Sequence, residues 1–196
     1  MRFLIRIKNT GGFTPEDSKR LSKRAYDRVR TLKADIGNLR VSHTAIEFDL
    51  IISTREVMEN CLATLVDMLG PSLTVRELDL PVQQSTPADA VKEGIVLFNE
   101  ERYWESHESL EAAWRTAIGG EREILQSIIL LAASLVHLQK DETDIALSIM
   151  KRANIKLPSQ GELYGVELEK LKQQVETLLA ENRPAFFKLP KQSQPS

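Results

Sequence analysis

The stretch Tyr103-Trp104-Glu105-Ser106-His107-Glu108-Ser109-Leu110-Glu111-Ala112-Ala113-Trp114-Arg115 concentrates side chains suited to acid–base or metal chemistry. On a helix His107 and Glu111, four residues apart, project from one face, with Glu108 and Arg115 at its edge. Tyr103, Leu110, Trp114 and Ile118 share that face, so an imidazole and a carboxylate sit where the helix is expected to be driest. A carboxylate keeps its charge there only beside a cation, a metal or hydrogen-bond donors. A second polar stripe follows in a segment crowded with Ile and Leu. At about 100° per residue, Gln126, Leu130, Ala133 and His137 align, with Ser127 and Ser134 beside them. A turn at Gly119-Gly120 folds the two segments into antiparallel neighbours. The expectation is that His107, Glu108, Glu111 and His137 converge, with Gln126 nearby.

Two imidazoles and two carboxylates suit Zn, Mn or Fe better than Mg or Ca. The reading assigns His107, Glu111 and His137 as metal ligands and Glu108 as the base that activates water for ester, amide or phosphate hydrolysis. Trp104, Trp114, Arg115 and Gln126 would line the pocket. The motif is H-E-x-x-E rather than the H-E-x-x-H of zinc peptidases, so the second imidazole has to come from His137. The competing reading needs no cofactor: a buried hydrogen-bonded cluster of His107 with Glu111, or His137 with Glu108, and Arg115 as counter-charge, fixes helix register without turnover.

The run F-N-x-x-x-Y-[FW]-E-x-H-E-x-L-E-x-x-W-R, an L-Q-x-x-I stretch and a later His resemble domain-of-unknown-function family 309. Its members are small helical proteins often labelled predicted metal-dependent hydrolases. Here the pattern is carried by Phe98, Asn99, Tyr103, Trp104, Glu105, His107, Glu108, Leu110, Glu111, Trp114, Arg115, Leu125, Gln126 and His137, within about Val91 to Leu157. Ser106, Ser127 and the stretch from Lys140 to Ile145 stand where the family tends to have Ala, Gly and Gly-Asn features. The resemblance implies a helical fold and metal-dependent hydrolysis, and names no substrate.

The elements that position these residues form the second half of an α+β chain. After a polar linker at 81–86, about five helices are expected over 87–183, opening at Thr86-Pro87, with a tail at 184–196. The small/large alternation around Phe98, Tyr103, Leu110, Ala146 and Ala153 is also similar to tetratricopeptide repeats. That similarity supports the alternative of a noncatalytic module for a protein or RNA partner. The first half, 1–80, reads as β-α-β-β-α-β, a ferredoxin-like sandwich. Its strands are Phe3 to Lys8, a pair bent near Thr44, and Leu73 to Glu77. Its helices start at Thr14-Pro15 and at Ser53-Thr54-Arg55-Glu56, with Gly37-Asn38 as a turn after the first.

Composition narrows the classes. The 196 residues are 42% hydrophobic and 28% charged, with a formal net charge of -2. Those values exclude a disordered chain and argue against nonspecific nucleic-acid binding by the chain as a whole. One cysteine, Cys61, excludes a disulfide framework and a Cys-rich zinc site. No apolar run reaches the roughly 18 residues of a membrane span. The start, MRFLIRIKNT, is too short and charged for a secretory h-region, so a cytoplasmic protein is expected. The first helix gathers Lys19, Arg20, Lys23, Arg24, Arg28, Arg30 and Lys33. A solvated face is the commoner reading of such a run, a phosphate-facing surface the sharper one. RNA-recognition-motif binding is disfavoured, because Phe3 and Phe48 share the helix-facing phase of their strands and leave Arg6, Arg40, Glu47 and Asp49 on an open face. A face of that kind is equally suited to pairing with another subunit or to capping the helical domain. The remaining partners in view are a small molecule or a peptide.

Overall fold

The computed structural model describes residues 1–80 and 86–191. Residues 81–85, most of the expected linker, and 192–196, the end of the expected tail, lie outside the described residues. The chain divides into two compact units, the first also taking in Gln139–Asp141. It is an α+β protein: an N-terminal antiparallel sheet of four strands with two helices, then a mostly helical segment. Among the described residues no helix is long and apolar enough to cross a membrane.

The first unit runs β1 (Arg2–Lys8), α1 (Ser18–Val29), β2 (Asp35–Val41), β3 (Ala45–Ile51), α2 (Arg55–Leu69) and β4 (Ser72–Glu77). The sheet order is β2-β3-β1-β4, and every neighbouring pair is antiparallel. Alternation sends Phe3, Ile5, Ile7, Ile46, Phe48 and Leu50 to one face, where they pack with Leu21, Ala25 and Val29 of α1 and Cys61, Leu65 and Leu69 of α2. Thr14 and Asp17 open the turn before α1, the Thr14 amide donating to the Asp17 carboxylate at 3.0 Å.

Two sequence expectations change here. Gly37-Asn38 does not end the α1 segment; that turn is at Lys33, with φ of 59°. Gly37 and Asn38 lie inside β2, where the register against β3 shifts between Gly37 and Arg40. Asn38 takes φ of 51° and donates through Nδ2 to Asp49 Oδ2 at 2.7 Å, so the bulge is tied to the sheet. The second face of the sheet is closed over β2 and β3 and open only over β4, where Thr74 and Arg76 are exposed. Arg40, Glu47 and Asp49 are each 2% exposed. They join one charge network, with Arg2 to Asp49 at 2.6 Å, Arg6 to Glu47 at 3.1 Å and Arg40 to Glu47 at 3.6 Å.

The second unit runs α3 (Pro87–Asn99), α4 (Tyr103–Trp114), α5 (Gly119–Leu138), α6 (Thr143–Lys156), a ribbon of β5 (Glu162–Leu163) and β6 (Val166–Glu167), and α7 (Leu168–Ala180). Thr86 caps α3, its Oγ1 accepting from the Asp89 amide at 3.2 Å, and Pro87 fills the first helical position. The ribbon, only two residues per strand, carries no pattern a sequence reading can find. The tail is tied down further than expected. Phe187 packs on Phe98 with centroids 5.5 Å apart, Phe186 on Tyr103 at 5.8 Å, and the Leu189 amide donates to Asn99 Oδ1 at 2.7 Å. Leu189 is 2% exposed as a result.

Candidate metal site on helix α4

Helix α4 is held by two sets of contacts that settle which residues face the core. Tyr103, Ser106, Leu110 and Ala113 recur at three and four residues and are buried. Ser106 donates to the Gly94 carbonyl of α3 at 2.8 Å, and Ser109 to the Ala90 carbonyl at 2.9 Å. A Cβ on Gly94 would lie 2.5 Å from Leu110 Cγ, so the α3–α4 crossing depends on a residue without one. At the start of α4, Arg102 grips Glu105 with two hydrogen bonds, of 2.8 and 3.0 Å. That grip holds the Arg102 guanidinium firmly protonated. At its end, Arg122 of α5 donates to the Trp114 and Ala117 carbonyls at 2.9 and 3.2 Å and lies 3.9 Å over the Trp114 ring. Gly119, with φ of 58°, turns the chain into α5.

This core face differs from the expected one by about a quarter turn. His107, Glu108 and Glu111 stand on its shoulder, with side chains 31%, 53% and 34% exposed. They are neither dry nor in bulk water. His107 Nδ1 is 3.7 Å from Glu108 Oε1 and 4.0 Å from Glu111 Oε2, and Arg115 Nη2 is 3.3 Å from Glu111 Oε1. One donor atom from each of His107, Glu108 and Glu111 can be chosen so that all lie within 4.8 Å of one another. Ligand bonds of about 2.0–2.2 Å place donors roughly 3–3.5 Å apart, closer than these three stand, so holding an ion requires the group to draw in. One imidazole and two carboxylates on a half-exposed shoulder fit a divalent transition metal with open positions.

His137 is not brought into this group. Its Nδ1 lies 2.5 Å from Glu142 Oε2, across the turn between α5 and α6. The level of Trp114 against Arg122 explains why. Seven residues back along α4, His107 faces about position 129 of α5, and His137 lies about eight residues, or about 12 Å, further on. The stripe that holds His137 is also not the dry side of α5: Gln126, Leu130, Ala133 and His137 are all half-buried. The buried polar residues of α5 are the serines. Ser127 donates to the Ile124 carbonyl and Ser134 to the Ala146 carbonyl, both at 2.7 Å. Among the expected pocket residues, Arg115 is 70% exposed and bonds Glu111, Trp114 packs against the core under Arg122, and Trp104 is half-buried. A hollow of ≈ 210 Å³ lies elsewhere, lined by Gly120, Ile124, Lys156, Pro158 and Leu168 among others.

Two structural anchors escaped the sequence reading. Arg122 gave no signal, because its role depends on the geometry of the α4–α5 turn. Asn99 lay in the family run, but its partner is an amide 90 residues away.

No curated protein matches the chain. The crystal structure of a conserved hypothetical protein from Thermus thermophilus is similar at 33% identity, over 45% of this chain and 94% of that one, with a TM-score of 0.40. The domain of unknown function DUF309 matches residues 91–149, from α3 into α6 and across the whole His107–Glu111 turn, so the helical unit carries a DUF309 domain.

Proposed function

We propose that the helical unit is a metal-dependent hydrolase whose ion is held by His107, Glu108 and Glu111. The observation that carries this is the convergence of an imidazole and two carboxylates within 4.8 Å on one helical turn. Zn, Mn or Fe suits the donor set. When bound, such an ion supplies an acidified water and polarises an ester, amide or phosphate oxygen. His107 offers Nδ1 and Glu111 offers Oε2, while Arg115 fixes the other Glu111 oxygen and sets a cation at the rim for an anionic substrate group. Glu108 serves here as the third ligand rather than as the base, since it stands beside His107 and Glu111 while His137 is held by Glu142. The test is turnover of chromogenic carboxylic esters, phosphomonoesters and phosphodiesters by protein loaded with Zn, Mn or Fe. Activity lost in His107→Ala and Glu111→Gln and kept in His137→Ala is the expected result. Activity insensitive to His107→Ala overturns the proposal.

A noncatalytic helical module for a protein or RNA partner is the second reading, and a half-open hollow beside the N-terminus of α5 belongs to its surface. Metal binding without turnover on any substrate class points to it. For the first unit, we read the order β2-β3-β1-β4 with both helices on one face as the ferredoxin-like βαββαβ sandwich.

A further inference from the structure

Helix α1 separates charge more sharply than any other element of the chain. From Ser18 to Lys33 there are seven cations and one carboxylate, Asp27, in a protein of net charge -2. Leu21, Ala25 and Val29 turn into the core, and Lys19, Arg20, Lys23, Arg24, Arg28, Arg30 and Lys33 are all exposed. Three of them meet carboxylates: Arg20 with Asp17 at 2.5 Å, Lys19 with Asp141 at 3.7 Å and Arg30 with Asp27 at 3.8 Å. Among the described residues no ion pair engages Lys23, Arg24, Arg28 or Lys33. Lys19 and Lys23, Arg20 and Arg24, and Arg24 and Arg28 are each four residues apart, a like-charge spacing that works against the helix. An ordinary solvated face mixes the two signs. Tyr26, 42% exposed, lies on the flank of Lys19, Lys23 and Arg30, one turn from the last two, while Arg24 and Arg28 project from the other flank.

We propose that the flank of α1 that carries Lys19, Lys23, Tyr26 and Arg30 is a docking surface for single-stranded nucleic acid, with the three cations on the phosphates and Tyr26 stacked on an unpaired base. A row of cations recognises a polyanion. The ring narrows the class, because a base face can stack on it, whereas an acidic peptide has none and a duplex keeps its base faces covered. This surface is separate from the sheet face on which RNA-recognition-motif binding was disfavoured, and from the α4 site.

The experiment is fluorescence anisotropy of the full chain with a labelled 15-nucleotide single strand, as RNA and as DNA, against the matching duplexes and a polyglutamate peptide, from 50 to 200 mM salt. Three to five phosphate contacts predict a slope of log affinity on log salt of about -2 to -3.5 for the single strand. Reversing Lys19, Lys23 and Arg30 to Glu is expected to weaken binding at least about tenfold, and replacing all three by Gln to weaken it less. Tyr26→Ala is expected to weaken the single strand about five- to fiftyfold and leave polyglutamate unaffected. All these side chains are exposed, so unchanged thermal transitions are expected in every variant. The RNA and DNA arms identify the sugar, and binding in either supports the proposal. No binding at 50 mM salt, equal binding by both triple variants, or a preference for duplex or polyglutamate overturns it.

Discussion

At the scale of single residues, the H-E-x-x-E run splits into two populations. Tyr103, Glu105 and Leu110 serve packing and helix closure, and His107, Glu108 and Glu111 remain on the half-exposed shoulder. The expected core face of this helix lies about a quarter turn from the one the structure buries. Trp114 and Ile118 counted there as core, yet Ile118 is 83% exposed and Trp114 is only partly buried. Short hydroxyls, which spacing cannot distinguish from surface serines, took the buried positions because each reaches a carbonyl one turn or one helix away. Tyr103 gives a direct test of packing against chemistry. Its hydroxyl is buried with no hydrogen-bond partner among the described residues, and burial holds the phenol protonated. Tyr103→Phe is therefore expected to leave stability unchanged or raise it by up to about 2 kcal/mol in denaturant unfolding. A loss of more than about 1 kcal/mol would show that the hydroxyl is engaged.

At the scale of elements, the helices and the four main strands were legible because their apolar periods are long and their starts carry Pro, Thr or Gly signals. Thr86-Pro87 and Gly119-Gly120 mark real boundaries. The β2 bulge was not legible, since Gly-Asn between apolar runs has the same composition whether it turns the chain or kinks a strand. The separation of His137 from His107 was not legible either: it depends on the vertical offset of two helices, which the turn at Arg122 fixes. The α3–α4 crossing makes the next prediction. Gly94→Ala gains helix propensity but drives a methyl into Leu110, so a net loss of about 1–3 kcal/mol is expected, read as a lower melting temperature. Adding Leu110→Ala to Gly94→Ala should cost less than Leu110→Ala costs alone. Simple additivity of the two losses would mean that the close approach is not what Gly94 provides.

At the scale of the whole molecule, each unit has its own apolar cluster, one built on the sheet with α1 and α2, the other on α3 to α7 and the chain to Leu189. Residues 86–191 are accordingly expected to fold alone, with a cooperative thermal transition and a helical circular dichroism spectrum. A fragment that melts without cooperativity contradicts that expectation. Charge distribution was legible in the chain at this scale: a near-neutral total conceals one strongly basic helix. The burial of Arg40, Glu47 and Asp49 was not, because alternation assigns residues to a face but not the exposure of that face.

The central claim is that His107, Glu108 and Glu111 hold an ion without help from His137. Elemental analysis of protein stripped with chelator and reloaded separately with Zn, Mn and Fe, run beside His107→Ala, Glu111→Gln and His137→Ala, measures it directly. The account predicts close to one equivalent of at least one of these metals in the parent and in His137→Ala, and a loss of at least about tenfold in affinity in the other two. Absence of all three metals from the parent, or one equivalent retained by His107→Ala, would contradict it.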